Sequence, residues 1–377
     1  MVLFGMMLPV FIGFVALAVD VSMIAVARNQ LSTAADAAAL AGAQQLASEN
    51  RVRGTTDLAA EMTAANNLAQ SFAQANRVLG AAPVVSTNPY NSATGQIQVG
   101  YLDLSNPSSS LDTSSSNTAK FNSVQVRAVR DASHGGPVPT IFGRVLGHSG
   151  SDVTVQSTAS VQVYAVKGFK SSGSFNSDLL PITMHIDTWN RMLKNDSTTG
   201  DKFTFDKTTN TVVSGPDSIH ESVLYPVDAG LAGNWGTLNV GVKSNSTSVL
   251  GAQIRYGITP AQLATFTNST IALDTTKTPP SITFTGDPGI SAGIKDDLTA
   301  IIGQPRSIPI YDQNGGNGNN AWYRVIAFQP ARIVAVNFQG SNKYVIIQPC
   351  LTKNPTAVTG NVQPWTSGGK TMVFLSR

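Results

Sequence analysis

The residues that could do chemistry in this 377-residue chain are few and scattered. Its four histidines, His134, His148, His185 and His220, have no metal-ligand spacing among them. With Cys350 as the one cysteine, neither a zinc site nor an internal disulfide is expected. The adjacent pair Asp296–Asp297 sits in a helical pattern where neighbours point about 100° apart, so the two are not a catalytic dyad. The run DQNGGNGNN from Asp312 has oxygen ligands and glycines but lacks the closing acidic residue of a calcium loop, and a surface turn is expected. Trp189, Trp235, Trp322 and Trp365 are dispersed, as core residues are, and not gathered into a sugar platform. No phosphate loop, dinucleotide fingerprint or nucleophile elbow occurs. A non-enzymatic protein without cofactor or metal is therefore expected.

One carboxylate stands apart. Asp20 ends a stretch of nineteen uncharged residues, Met1–Val19, about 28 Å long as a helix and enough to span a bilayer. A carboxylate there needs a partner or water. It either pairs with a cation on a neighbouring subunit or marks the boundary with water. Past Arg28 the pattern continues as an Ala-rich helix with Ile24, Leu31, Ala35, Ala38, Gly42 and Leu46 on one stripe. Small residues of this kind let helices approach closely. Gly5 and Gly13, eight apart, add a second place of close approach, and Pro9 removes one backbone bond. The set Gly5, Pro9, Gly13, Asp20, Ile24, Arg28, Leu31, Ala35, Ala38, Gly42 and Leu46 is the expected helix–helix assembly surface.

Composition bounds the rest. Hydrophobic residues make up 42% and charged residues 12%, and polarity comes from Ser, Thr, Asn and Gly, as in proteins outside the cell or in repeating assemblies. A net charge of +3 from 25 basic and 22 acidic residues does not make a nucleic-acid surface. No basic residue precedes Arg28, so the positive-inside rule taken alone would leave the body in the cytoplasm. A basic leader removed before Met1 resolves that conflict, as in pilin-type processing.

The fold class expected is α+β: a long helix followed by two regions rich in antiparallel sheet. Residues 1–54 form the helix. Residues 55–167 form a pilin-like unit, with a second helix presenting Leu58, Met62, Ala65, Leu68 and Phe72, capped by Thr55 or Thr56 and closed by Gly80 and Pro83. Strands alternating at Ile97, Val99 and Tyr101 and at Val124, Val126 and Ala128 follow, then a short helix in PVPTIFGRVLG and a long strand. Residues 168–178, rich in Gly and Ser, read as a linker, and 179–377 as a second, surface-exposed α+β domain. In that domain NWGTLNVGV reads as a strand, DPGISAGIKDDLTAIIG as a helix, and five short strands close the chain.

At residues 9–46 the chain resembles the N-terminal segment of TadE/TadG-like proteins of tight-adherence (Tad, or Flp) pilus systems. The resemblance rests on Pro9, on Ala18, Val19 and Asp20, on Arg28 and Leu31, and on the run from Ala34 to Ala43. It departs in having Gly5 where a pilin glutamate would stand. The resemblance implies a structural subunit of an extracellular filament, assembled with copies of itself through the helix. It also implies passage through the inner membrane before assembly and handling by pilus-type secretion machinery. An envelope-anchored monomeric assembly factor or adhesin is the alternative.

Overall fold

The computed structural model describes residues 2–52, 54, 57–226, 236–243, 246–287, 292–340 and 343–376. Helix α1 runs unbroken over Val2–Gln45. The chain divides into two compact units: Met1–Ser48 with Thr55–Gln162 and Val373–Arg377, and Glu49–Gly54 with Val163–Met372. The long helix thus shares one unit with the residues after Thr55, and the division within the chain falls at 162, inside a strand.

In the first unit α1 packs against helix α2 (Ala59–Ala75) and the central strand of a three-stranded antiparallel sheet. The sheet is β1 (Ile97–Gly100), β2 (Ser123–Arg130) and the first part of β5 (Val153–Lys170), in that order. Between β2 and β5 a small ribbon pairs β3 (Val138–Pro139) with β4 (Gly150–Ser151). The chain's end returns here: the Ser376 hydroxyl lies 2.9 Å from that of Ser160, itself 2.6 Å from Ser123.

Size decides which face of each helix is used. On α1, Leu31, Ala34, Ala35, Ala38, Ala39, Gly42, Ala43 and Leu46 are buried. On α2 the buried seam is Leu58, Glu61, Ala65, Ala69 and Ala73, while Met62 and Leu68 are half-buried and Phe72 is exposed. The seam is therefore rotated from the face expected on large residues, because a close helix pair admits only small side chains at its centre. A Cβ on Gly42 would meet Val124 Cγ1 at 3.0 Å, the Ala65 carbonyl oxygen at 3.2 Å and Ala69 Cβ at 3.3 Å. The expected caps Thr55 and Thr56 lie outside the described residues, and the Asp57 carboxylate accepts from the Ala59 N–H at 2.9 Å. The helix stops before Gly80, where the Asn76 side chain donates to the Phe72 carbonyl.

The main part of the second unit opens with the end of β5 and builds a mixed sheet. Strand β6 (Met184–His185) leads into α3 (Ile186–Leu193), and β7 (Phe203–Asp206) and β8 (Thr211–Ser214) form a separate hairpin. Strands β9 (Ser222–Tyr225) and β10 (Thr237–Leu238) precede α4 (Thr247–Tyr256) and the single turn α5 (Pro260–Leu263), where Thr259 and Gln262 make a capping box. Strands β11 (Thr270–Ala272) and β12 (Ile282–Asp287), then α6 (Lys295–Thr299), come before the long pair β13 (Pro305–Gly315) and β14 (Trp322–Asn337) and strand β15 (Tyr344–Pro349). Strand β14 is central, pairing antiparallel with β12, β13 and β15. One core holds Trp189, Met192, Leu250, Ile254, Leu298 and Ile333, and a second gathers aromatic edges, with Phe169 against Phe328 at 5.2 Å and Tyr311 against Tyr323 at 4.9 Å.

The segment expected as a linker carries strand as far as Lys170. Gly168 explains the difference: a Cβ there would lie 2.1 Å from the Ile271 carbonyl, so the residue serves the close pairing of β5 with β11. Trp235 and the residues 288–291 of the expected helix lie outside the described residues.

Two charged groups inside this unit carry its electrostatics. Arg332, 1% exposed, pairs with Glu49, and its guanidinium carbon lies 3.6 Å from the centre of the Phe205 ring. Glu221, fully buried, accepts from the Lys202 and Phe203 N–H groups and from the Gln348 amide. Burial pushes its carboxyl up to about 7, outweighing the two backbone donors, with Asp201 and Asp217 adding to the rise.

Two outcomes follow. Gly42→Val should overpack the α1–α2 seam and cost about 1–3 kcal/mol, seen as a lower melting temperature. For Glu221 the folded state holds the proton more tightly than the unfolded state. Its contribution is therefore complete below the unfolded value near 4.5 and is lost as pH rises through about 7. The melting temperature of the second unit should fall between about pH 5 and about pH 8, and Glu221→Gln should flatten that fall.

Candidate functional site

The scattered candidates for chemistry stay scattered. His134 Nδ1 bonds the Asp131 carboxylate at 2.7 Å, His185 Nδ1 accepts from the Asp187 N–H at the start of α3, and His220 faces Ser197 at 3.4 Å. Asp312 is taken by Arg324, whose Nε donates to it at 2.8 Å, and Gly315 makes room for the Trp322 ring. Trp189 is core, and Trp365 stacks on the Arg51 guanidinium at 4.3 Å. Cys350 is fully buried and its thiol is pushed up to about 12 by burial. No group of three or more His, Cys, Asp or Glu residues that could hold a metal occurs among the described residues.

What the structure does bring together lies along α1. The helix has two environments. From Ala27 onward its small-residue stripe is occupied by α2 and β2 of the same chain. Of the expected assembly residues, Leu31, Ala35, Ala38, Gly42 and Leu46 sit in that interior, Ile24 is half-buried and Arg28 is exposed. Between Phe11 and Val26 the large apolar side chains are mostly uncovered: Phe11, Ile12, Phe14, Val15 and Leu17 are each more than half exposed. A Cβ on Gly13 would meet nothing within 4 Å. Gly5 and Pro9 lie within the helical backbone, and their side-chain surroundings fall outside the described residues. Among the described residues one helix is long and apolar enough to cross a membrane, and it is this one.

Asp20 sits where the two environments meet, and it is buried, 5% exposed. Within the chain its partners are backbone N–H groups. The segment between β3 and β4 turns back onto α1 as a short 3-10 helix, Gly143–Leu146, and presents its N-terminal backbone to the carboxylate. Asp20 Oδ1 accepts from the Ile141 N–H at 2.7 Å, while Oδ2 accepts from Phe142 at 3.1 Å and from Gly143 at 2.7 Å. Three donors that begin a helical turn have no partners inside it, and a carboxylate satisfies them all. Gly143 is required: a Cβ would come within 2.7 Å of both the His148 carbonyl and the Thr140 hydroxyl oxygen.

Sequence reasoning identified Asp20 and the short helix in PVPTIFGRVLG separately and did not join them. They are 121 residues apart, and no residue pattern reports such a bond. The available signal was chemical: a buried carboxylate without a nearby basic residue must take backbone donors.

Asp20→Ala should free these three amides. Hydrogen bonds to a charged acceptor contribute about 1.5–3 kcal/mol each, so amide exchange at Ile141 and Gly143 should accelerate roughly tenfold or more. Exchange within β2 should stay unchanged.

Two family models match the chain: Flp pilus-assembly TadE/G-like over residues 1–45 and Tad-like Flp pilus-assembly over residues 41–159. The first ends within α1 near its close, and the second takes in α2, the three-stranded sheet and the Asp20-bound turn. Neither a curated protein nor a solved structure matches. Over residues 1–159, the long helix and the unit folded onto its second half, the chain is similar to the TadE/G-like and Tad-like families of Flp pilus-assembly proteins.

Proposed function

We propose that this chain is an envelope-anchored component of the Tad pilus apparatus, held by the first half of α1 in the cytoplasmic membrane with its two units on the outer side. The observation that carries this reading is the division of α1. The small-residue half, which a helical bundle of copies would use, is buried in the chain's own first unit. The half left bare exposes Phe11, Ile12, Phe14, Val15, Leu17, Val19 and Val21, the surface that hydrocarbon solvates. An exposed apolar surface of that extent needs a cover, and a bilayer covers it without complementary shape. The Ser- and Thr-rich, charge-poor second unit then supplies a surface for assembly or adhesion. It needs no chemistry of its own.

A filament subunit would use the same bare segment against other copies, and its location distinguishes the two readings. Cells carrying a complete Tad system are sheared, and the sheared fibres and carbonate-washed membranes are probed for this chain. Recovery in the washed membrane is expected. Recovery mainly in the fibres, at the abundance of the main subunit, would mean that copies and not lipid cover the helix.

A further inference from the structure

The turn that Asp20 holds is itself apolar and uncovered. Ile141 is 54% exposed, Val145 84% and Leu146 79%, with Phe142 beside them. Water is a poor solvent for four such side chains within six residues, and they are not placed at random. Phe142, Val145 and Leu146 line an apolar groove of about 360 Å3 together with Ile12, Gly13, Ala16, Leu17 and Asp20 of α1.

We propose that this turn is a membrane foot: it enters the leaflet next to α1, and a lipid acyl chain occupies the groove. The proposal rests on the anchored reading above and adds a second point of insertion to it. Three observations favour lipid over a second protein.

The first is position. The uncharged stretch up to Asp20 measures about 28 Å as a helix, close to one hydrocarbon thickness. The turn packs along the last part of that stretch, from Ile12 to Asp20, within the leaflet on the side of the body. The second is the backbone. Irregular chain enters hydrocarbon only when its polar groups are satisfied internally. Here Ile141, Phe142 and Gly143 donate to Asp20, Val145 donates to the Phe142 carbonyl, Gly147 to Arg144 and His148 to Gly143. The third is Arg144, exposed in the middle of the turn between the two apolar pairs. A guanidinium on a flexible stem can extend to lipid phosphates while its neighbours stay in the acyl region.

In this arrangement Asp20 is a positioning residue. It fixes the foot against the helix, and so fixes how far the helix can slide through the bilayer. The uncompensated carboxylate that would otherwise oppose burial is filled by backbone donors before it meets lipid.

The test uses the full chain in vesicles of phosphatidylethanolamine and phosphatidylglycerol, with a nitroxide attached to Val145→Cys. The native Cys350 is fully buried and stays unlabelled. Phe14→Cys reports on the helix, and Tyr90→Cys, at a residue 94% exposed, reports on water. Collision of each label with oxygen and with a water-soluble nickel chelate is measured. The expected result is that the Val145 label follows the Phe14 label, with an oxygen-to-nickel ratio several-fold above that at Tyr90. A Val145 label that follows Tyr90 while Phe14 stays in lipid overturns the foot and leaves the anchor standing. A wet Phe14 label overturns both. Spin–spin broadening at Val145 that vanishes on dilution with unlabelled chain would put a second copy in the groove and overturn the lipid assignment.

Discussion

Everything in the first unit depends on how closely α1 and α2 approach. Gly42 on one helix faces Ala65 and Ala69 on the other, and even a methyl group added there would come within 3.3 Å of both. That closeness lets β2 lie against the same pair and completes a core made largely of alanine, valine and leucine. It also consumes the small-residue half of the long helix. A helix of 44 residues cannot be covered along its length by a unit of this size, so the remainder must meet another apolar medium. The division into a clothed half and a bare half is thus a packing result first and a functional one second.

Asp20 makes the boundary definite. A carboxylate on an apolar helix would ordinarily set the boundary by its need for water. Here three backbone amides meet that need, and the segment that provides them is pulled onto the helix. The charge therefore does not limit where the helix can sit. It recruits a loop. The same economy recurs in the second unit, where Glu221 and Asp178 are buried with hydrogen-bond donors from the surrounding chain. In a chain this poor in charge, these three buried carboxylates are held by the fold's own donors.

Much of this was legible in the residues. Periodicity alone marks α1, the short helices opening at Ile186 and Pro260, the 203–214 hairpin and the terminal strands, because each pattern is local. The motif around Asp20 and the alanine run carry the likeness to the TadE/TadG-like proteins, and the two family matches extend that likeness to residue 159. What was not legible depends on distance in sequence. The face of α2 was misjudged because large residues draw attention, whereas the seam selects small ones at Ala65, Ala69 and Ala73. Gly168 suggested a linker, since a glycine that admits a neighbouring carbonyl looks the same in sequence as one that gives flexibility. The partner of Asp20 could not be read because its donors are main-chain N–H groups, which every residue but proline carries.

The placement of Glu49–Gly54 has a bearing on how the body can be handled apart from its helix. These six residues follow α1 directly yet belong to the second unit, where Glu49 neutralises the buried Arg332 and Arg51 stacks on Trp365. The final residues, Val373–Arg377, belong in turn to the first. Neither unit is a contiguous stretch of sequence, and no single cut releases one from the other. A soluble version trimmed at residue 55 would strand a guanidinium in the interior of the second unit, although every residue after the cut were intact. A soluble body must keep both the α1 stripe from Ala27 onward, which α2 and β2 cover, and Glu49, which the second unit needs beside Arg332.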